Sequence, residues 1–123
     1  MIVSSAEISK LQSQLADYPD ALIALEIIAD CEGDLEDAAM TLGIRAGQQP
    51  GLDNSAWLPA IAKRCRAALC QEDLRLDLMN GNWAAALHFL QTHKICPNLL
   101  AIPVLLYVDN VGINRFCEPL DRP

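Results

Sequence analysis

YPDALIALEIIADCEGDLEDAAMTLGI, residues 18–44, is the stretch that decides the fold, because it predicts two helices joined by a short turn. Pro19 suits the first position of a helix, and Gly33 can adopt the left-handed conformation that ends one. Asp34 is a typical cap for the second helix, which Gly43 ends. Apolar residues lie on nearly every side of the first helix, so we predict that it is central and buried. They are Leu22, Ile23, Leu25, Ile27 and Ile28.

Helical signals continue on both sides of this stretch. Ser4 and Glu7 form a capping box for a helix that runs to about Ala16. Ser55 can cap a long helix, and Asn82 can cap a later one. We therefore predict an all-α fold, a compact single-domain bundle of six or seven helices with short connections that spans residues 1–123.

A long apolar run near the C-terminus extends from Leu99 to Phe116 and is interrupted by Pro103. A proline fixes either a kink or the start of a new helix. One side of a small bundle cannot cover so many apolar residues when another helix already occupies the centre. We therefore predict that this segment leaves an apolar face exposed, and that a second copy of the chain covers it.

Charge is unevenly distributed along the chain, whose net charge is −7. No basic residue occurs between Lys10 and Arg45, and half of the sixteen acids lie within residues 17–37. Nucleic acids and anionic lipids require a basic surface, so the charge predicts neither as a partner. A basic N-terminal leader and long apolar segments are also absent, which predicts a cytoplasmic protein.

The five cysteines are Cys31, Cys65, Cys70, Cys96 and Cys117. Their odd number, in a chain large enough to fold without covalent staples, predicts reduced and mostly buried thiols. A thiol-dependent enzyme or redox protein remains an alternative, because sequence cannot show which cysteine lies near a histidine or another thiol.

A second alternative function is DNA binding. Residues 33–44 resemble the first helix and turn of a helix-turn-helix of the Fis-like kind, which implies a DNA-binding regulator with a degenerate motif at 34–54. In that family the next helix enters the major groove. The matching stretch here, RAGQQPGLD, contains two glycines and a proline, and Arg45 is its only cation. These residues disfavour an extended recognition helix.

Metal and catalytic motifs are incomplete. Asp30, Glu32 and Asp34 alternate like the first ligands of a calcium loop, but Leu35 and Thr41 replace its essential glycine and glutamate. The spacing of His88 and His93 places them on different faces of a helix. These two histidines and Cys96 are therefore poorly placed to bind one zinc ion together. The sequence contains no motif that pairs a catalytic nucleophile with a general base, and no glycine-rich phosphate-binding loop. We predict no cofactor, no metal and no catalytic residue.

The function that the sequence favours is a non-catalytic, cytosolic protein–protein interaction or regulatory module that self-associates. The separation of acidic from basic residues favours docking of a partner in one orientation. The candidate partner-binding residues are Asp30, Glu32, Glu36, Asp37, Lys63, Arg64 and Arg66. The candidate self-association residues are Leu105, Leu106 and Val108.

Overall fold

The computed structural model describes residues 1–48 and 57–121, and it is 76% helical with no strand in these two ranges. The all-α prediction is therefore confirmed. A short 3-10 helix, Asn98–Leu100, precedes the eighth α-helix. The α-helices are α1 (Ser5–Gln14), α2 (Pro19–Asp30), α3 (Leu35–Arg45), α4 (Trp57–Arg64), α5 (Arg66–Leu69), α6 (Glu72–Met79), α7 (Trp83–Thr92), α8 (Ala101–Val111) and α9 (Ile113–Asp121).

Nine α-helices within these ranges exceed the six or seven predicted, because the long helix predicted from Ser55 to Met79 is broken twice. Breaks at Cys65 and at residues 70–71 divide it into α4, α5 and α6. The C-terminal run breaks at Gly112 rather than at Pro103, which is accommodated in the first turn of α8. Ser55 itself lies outside the described residues, as does most of the stretch that corresponds to the recognition helix.

Local capping agrees with the sequence. The Ser4 hydroxyl accepts a hydrogen bond from the backbone N–H of Glu7 at 3.2 Å. The Asp34 carboxylate accepts one from the N–H of Asp37 at 3.1 Å, and Pro19 is the first residue of α2. These side chains satisfy N–H groups that have no partner within the helix, and so fix where α1 and α3 begin.

The central helix is α8, not α2 as predicted. Every residue from 101 to 106 is buried, and α8 packs against α2, α3, α4, α7 and α9. In α2 the buried face is formed mainly by Ala21, Ala24, Leu25 and Ile28, whereas Ile23 is 39% exposed. The hydrophobic pattern of α2 therefore overstated its burial, because one side of this helix remains open to solvent.

Two of the cysteines form a disulfide, which corrects the prediction of five reduced thiols. Cys70, which follows α5, is bonded to Cys117 in α9 at an S–S distance of 2.01 Å. The two are 47 residues apart in sequence, and only the packing of α5 against α9 brings them together. Arg75 in α6 adds a second link to α9 through its ion pair with Asp121 at 2.9 Å.

Within the described ranges, no single helix is both long and apolar enough to cross a membrane. The pair formed by residues 98–111 and α9 passes that test of length and composition, with a bend of 85° between its two parts.

The N-terminal segment is fixed to the turn between α2 and α3. The N–H of Val3 donates to the carbonyl oxygen of Gly33 at 2.8 Å, and the N–H of Leu35 donates to that of Met1 at 3.0 Å. Ile2 and Asp34 form an isolated antiparallel bridge between these hydrogen bonds. Gly33 has φ +83°, and a side chain there would collide with the carbonyl oxygen of Val3. Glycine is therefore required for this pairing.

We expect Gly33→Ala to lower the free energy of unfolding by about 2 kcal/mol or more, because it adds a collision to the cost of a positive φ. Gly81→Ala is the matched control, since Gly81 has φ +79° with nothing within 4 Å of an added methyl. The control should cost only about 1 kcal/mol. Urea unfolding measures both values, and equal losses would contradict the close approach of Val3.

Candidate partner-binding site

Glu32 occupies an unusual backbone position at the end of α2. The N–H of Gly33 donates to the carbonyl oxygen of Ile28 at 2.8 Å, and the N–H of Glu32 donates to that of Ala29 at 3.0 Å. This arrangement is a Schellman motif, in which the residue after the C-cap is usually glycine. Here that residue is Glu32, with φ +57°. A left-handed conformation costs a residue with a side chain about 1–2 kcal/mol.

The residues from Asp30 to Asp37, which we call the acidic turn, contain five carboxylates. Asp30, Glu32 and Asp37 are exposed to solvent. Asp34 caps α3, and Glu36 binds the amino group of Met1 at 2.9 and 3.1 Å. Of the four acids predicted to bind a partner, Glu36 is therefore engaged within the chain, and the other three project into solvent.

A cleft of about 180 Å³ lies beside the acidic turn, between α1 and the end of α2. Its lining is apolar except for Ser5 and Glu32, and we call it the acidic cleft. The other lining residues are Val3, Ile8, Ala29 and Gly33. Ile2, which is 70% exposed, lies against Gly33 on the paired N-terminal segment. Apolar surface and the exposed Glu32 carboxylate are thus adjacent at this site.

The negative charge of the acidic turn is not neutralised by basic side chains in the part of the chain that the structure describes. The two ion pairs found there join Met1 to Glu36 and Arg75 to Asp121. The pKa of Cys31 reports the local charge: partial burial raises it most, and the carboxylates of Asp37, Asp30 and Asp34 raise it further. The acidic turn therefore has a negative potential that is available to a partner.

No protein-family model, curated protein or solved structure that we compared with the chain matches it. The function is therefore inferred from the geometry and charge of the chain itself.

The predicted basic cluster is divided by the fold. Lys63 and Arg64 are exposed at the end of α4. Arg66 is half-buried, and its guanidinium lies 4.8 Å from the centre of the Phe116 ring. Such a cation–π contact contributes to the packing of α9. Arg66 is therefore a structural residue, whereas Lys63 and Arg64 remain accessible.

The predicted self-association residues lie inside one chain. Leu105 and Leu106 are each 1% exposed, and Val108 is 2% exposed. They fill the centre of the bundle, so in this fold they are not available for contact with a second copy. The apolar side chains that α6 and α9 do expose are Leu76, Met79 and Leu120.

The histidines make local contacts along α7. His93 Nδ1 lies 3.1 Å from the carbonyl oxygen of Phe89, and the two rings stack at 4.1 Å. His88 Nε2 lies 3.4 Å from the Thr92 hydroxyl. Among the residues with described positions, no three His, Cys, Asp or Glu side chains are grouped so that they could hold a metal ion.

Sequence reasoning found the acids but missed the cleft beside them. Val3, Ser5 and Ile8 reach the acidic turn only because the N-terminal segment pairs with residues 33–35. The spacing of apolar residues in the sequence does not indicate such a contact between distant segments.

We expect Glu32→Gly to raise the free energy of unfolding by about 1 kcal/mol, because glycine adopts the left-handed position without the cost that Glu32 bears. Glu32→Gln is the control, since it removes the same charge but retains a side chain at positive φ. It should change stability by less than about 0.5 kcal/mol. Equal effects of the two substitutions in urea unfolding would show that charge, rather than backbone conformation, determines the stability at this position.

Proposed function

We propose that the protein is a non-catalytic interaction module that binds a basic segment of a partner protein at the acidic turn and the acidic cleft. The observation that carries this proposal is a run of three exposed acids, Asp30, Glu32 and Asp37, of which Glu32 lines a cleft that is otherwise mainly apolar. Ile2 is exposed next to Gly33 of the same cleft. The carboxylates match the cationic group of a lysine or arginine side chain, and the cleft matches the methylene groups of that side chain. Ile2 matches an apolar residue next to it in the partner.

Charge complementarity supports a basic partner. The carboxylates have no basic side chain of the described residues as a partner, so a Lys or Arg of another protein gains an ion pair without displacing an existing one. Exposed charges of this kind increase the association rate and fix the orientation of a complex more than they increase its affinity.

The shape of the acidic cleft supports a long side chain. Lys and Arg bury their methylene groups on apolar surface and keep the charged group at a polar rim. The exposed Ala29 provides apolar surface, small parts of the otherwise buried Val3 and Ile8 line the same cleft, and Glu32 provides a carboxylate there. An apolar residue next to the bound cation in the partner would contact Ile2, which is exposed at this site.

The other predictions from sequence rest on different features. Self-association stays a prediction, although the residues on which it was based lie in the core.

A cytoplasmic location also stays a prediction, and the Cys70–Cys117 disulfide argues against it, because disulfides are rare in reducing compartments. The exposed acids of the turn before α3 would repel DNA phosphates, which disfavours the DNA-binding alternative.

The proposal predicts binding of a fluorescein-labelled peptide of alternating lysine and leucine, measured by fluorescence anisotropy. Glu32→Gln should weaken this binding about threefold to fivefold, because an exposed ion pair contributes up to about 1 kcal/mol. Binding should also weaken as salt is raised from about 0.05 to 0.15 M, since screening shortens the reach of exposed charges.

Glu72→Gln is the matched control, because it makes the same change of charge at an exposed residue of α6. It should leave the peptide affinity within about twofold of that of the wild type. If Glu72→Gln weakened binding as much as Glu32→Gln, the peptide would be responding to net charge, and a specific site at the acidic turn would be excluded. A glutamate–leucine peptide should not bind.

A further inference from the structure

Two adjoining clefts lie where α6 and α8 end. The smaller one, which we call the apolar cleft, has a volume of about 110 Å³ and lies at the break between α8 and α9. The larger one, which we call the polar cleft, has a volume of about 210 Å³ and extends to α1. Both clefts are lined by Leu78, Met79, Trp83 and Asp109. Because they share these four residues, one small molecule can occupy both clefts.

The apolar cleft is suited to a single ring. Apart from Asp109, its described lining residues are apolar or glycine. They are Leu78, Met79, Trp83, Leu105, Val108, Gly112 and Ile113. An engineered cavity of about 150 Å³ with a similar apolar lining binds benzene. The sulfur of Met79 and the ring of Trp83 also make favourable contacts with an aromatic ring.

Backbone contacts fix the wall that the two clefts share. The turn between α6 and α7 is closed by the N–H of Asn82, which donates to the carbonyl oxygen of Asp77 at 2.8 Å. Gln14 on α1 reaches the same turn, and its side-chain amide donates to the carbonyl oxygen of Gly81 at 2.7 Å. The clefts are therefore formed without a bound molecule, as most binding sites for small molecules are.

The charge of the two clefts favours a cation. Asp109 is exposed and forms neither of the ion pairs found in the described ranges. Glu7 adds a second carboxylate to the polar cleft, and Lys10 adds one ammonium group. The two carboxylates outnumber the single cation, so the potential here is negative. The indole ring of Trp83 lies at both clefts and can attract a cation through its face.

We propose that the two clefts together form a binding site for a small primary amine that carries one aromatic ring. The ring occupies the apolar cleft, and the ammonium group lies at Asp109 and Trp83, which line both clefts. 2-Phenylethylamine is a suitable probe, because its two-carbon chain allows the ring and the ammonium group to occupy adjoining clefts. This site shares none of its described lining residues with the acidic cleft, and the proposal does not depend on the function proposed above.

The test follows tryptophan fluorescence in Trp57→Phe, where Trp83 is the one tryptophan that remains in the sequence. Titration with 2-phenylethylamine should change the emission until the site is saturated. 2-Phenylethanol, which has the same ring without the charge, should bind about fivefold more weakly, because it forms no ion pair. Ethylamine, which lacks the ring, should cause no saturable change over the same concentrations. Equal affinities for the amine and the alcohol, or no saturable change with the amine, would overturn the proposal.

NMR of the wild-type protein gives the same test without a change at Trp57. Addition of 2-phenylethylamine should shift the amide signals of residues 78–83 and 108–113. Shifts at residues 29–37 instead would place the amine at the acidic turn and contradict the proposed site.

Charge variants test the role of Asp109. In Asp109→Asn the affinity for 2-phenylethylamine should fall about fivefold, whereas that for 2-phenylethanol should stay within about twofold of the wild-type value. Asp73→Asn is the matched control, because Asp73 is exposed on α6 and is not among the lining residues of either cleft. It should leave both affinities unchanged. An equal loss for the two ligands in Asp109→Asn, or an unchanged affinity for the amine, would contradict an ion pair at Asp109.

Discussion

The antiparallel pairing of residues 1–3 with residues 33–35 is the interaction on which the candidate site depends. In this pairing the carbonyl oxygen of Val3 occupies the position that a side chain at residue 33 would take. Only glycine therefore fits at residue 33 without strain. The pairing carries Val3 and Ile8 to the acidic turn and forms the floor of the acidic cleft. Without it, Val3 would not lie beside the acids of the turn between α2 and α3, and the acidic cleft would lose part of its apolar lining.

Much of the fold follows from local chemistry that the sequence shows. Ser4, Pro19 and Asp34 set the starts of their helices because each satisfies or avoids unpaired N–H groups near its own position. The sequence did not show which helix is central, because α2 and α8 are both rich in apolar residues. Only packing between distant parts of the chain places α8 at the centre. The Cys70–Cys117 disulfide could not be predicted for the same reason, because the two cysteines are 47 residues apart in sequence.

The acidic cleft has a feature that sequence reasoning could not supply. Glu32 and Lys94 are the non-glycine residues with positive φ in the described ranges, and Glu32 lines the acidic cleft. Both follow helices that end in a Schellman arrangement, where glycine would be more stable. The unfavourable backbone conformation of Glu32 at the edge of a cleft is one reason to test this position for a functional role.

Binding of a basic partner at the acidic turn can be mapped residue by residue by NMR. In a titration of isotopically labelled protein with the lysine–leucine peptide, we expect the amide shifts to change at residues 2–8 and 29–37. The exposed basic residues Lys63 and Arg64, at the end of α4, should be unaffected. Shifts that change mainly on α6 and α9, or evenly over the surface, would show that the peptide does not bind at the acidic turn.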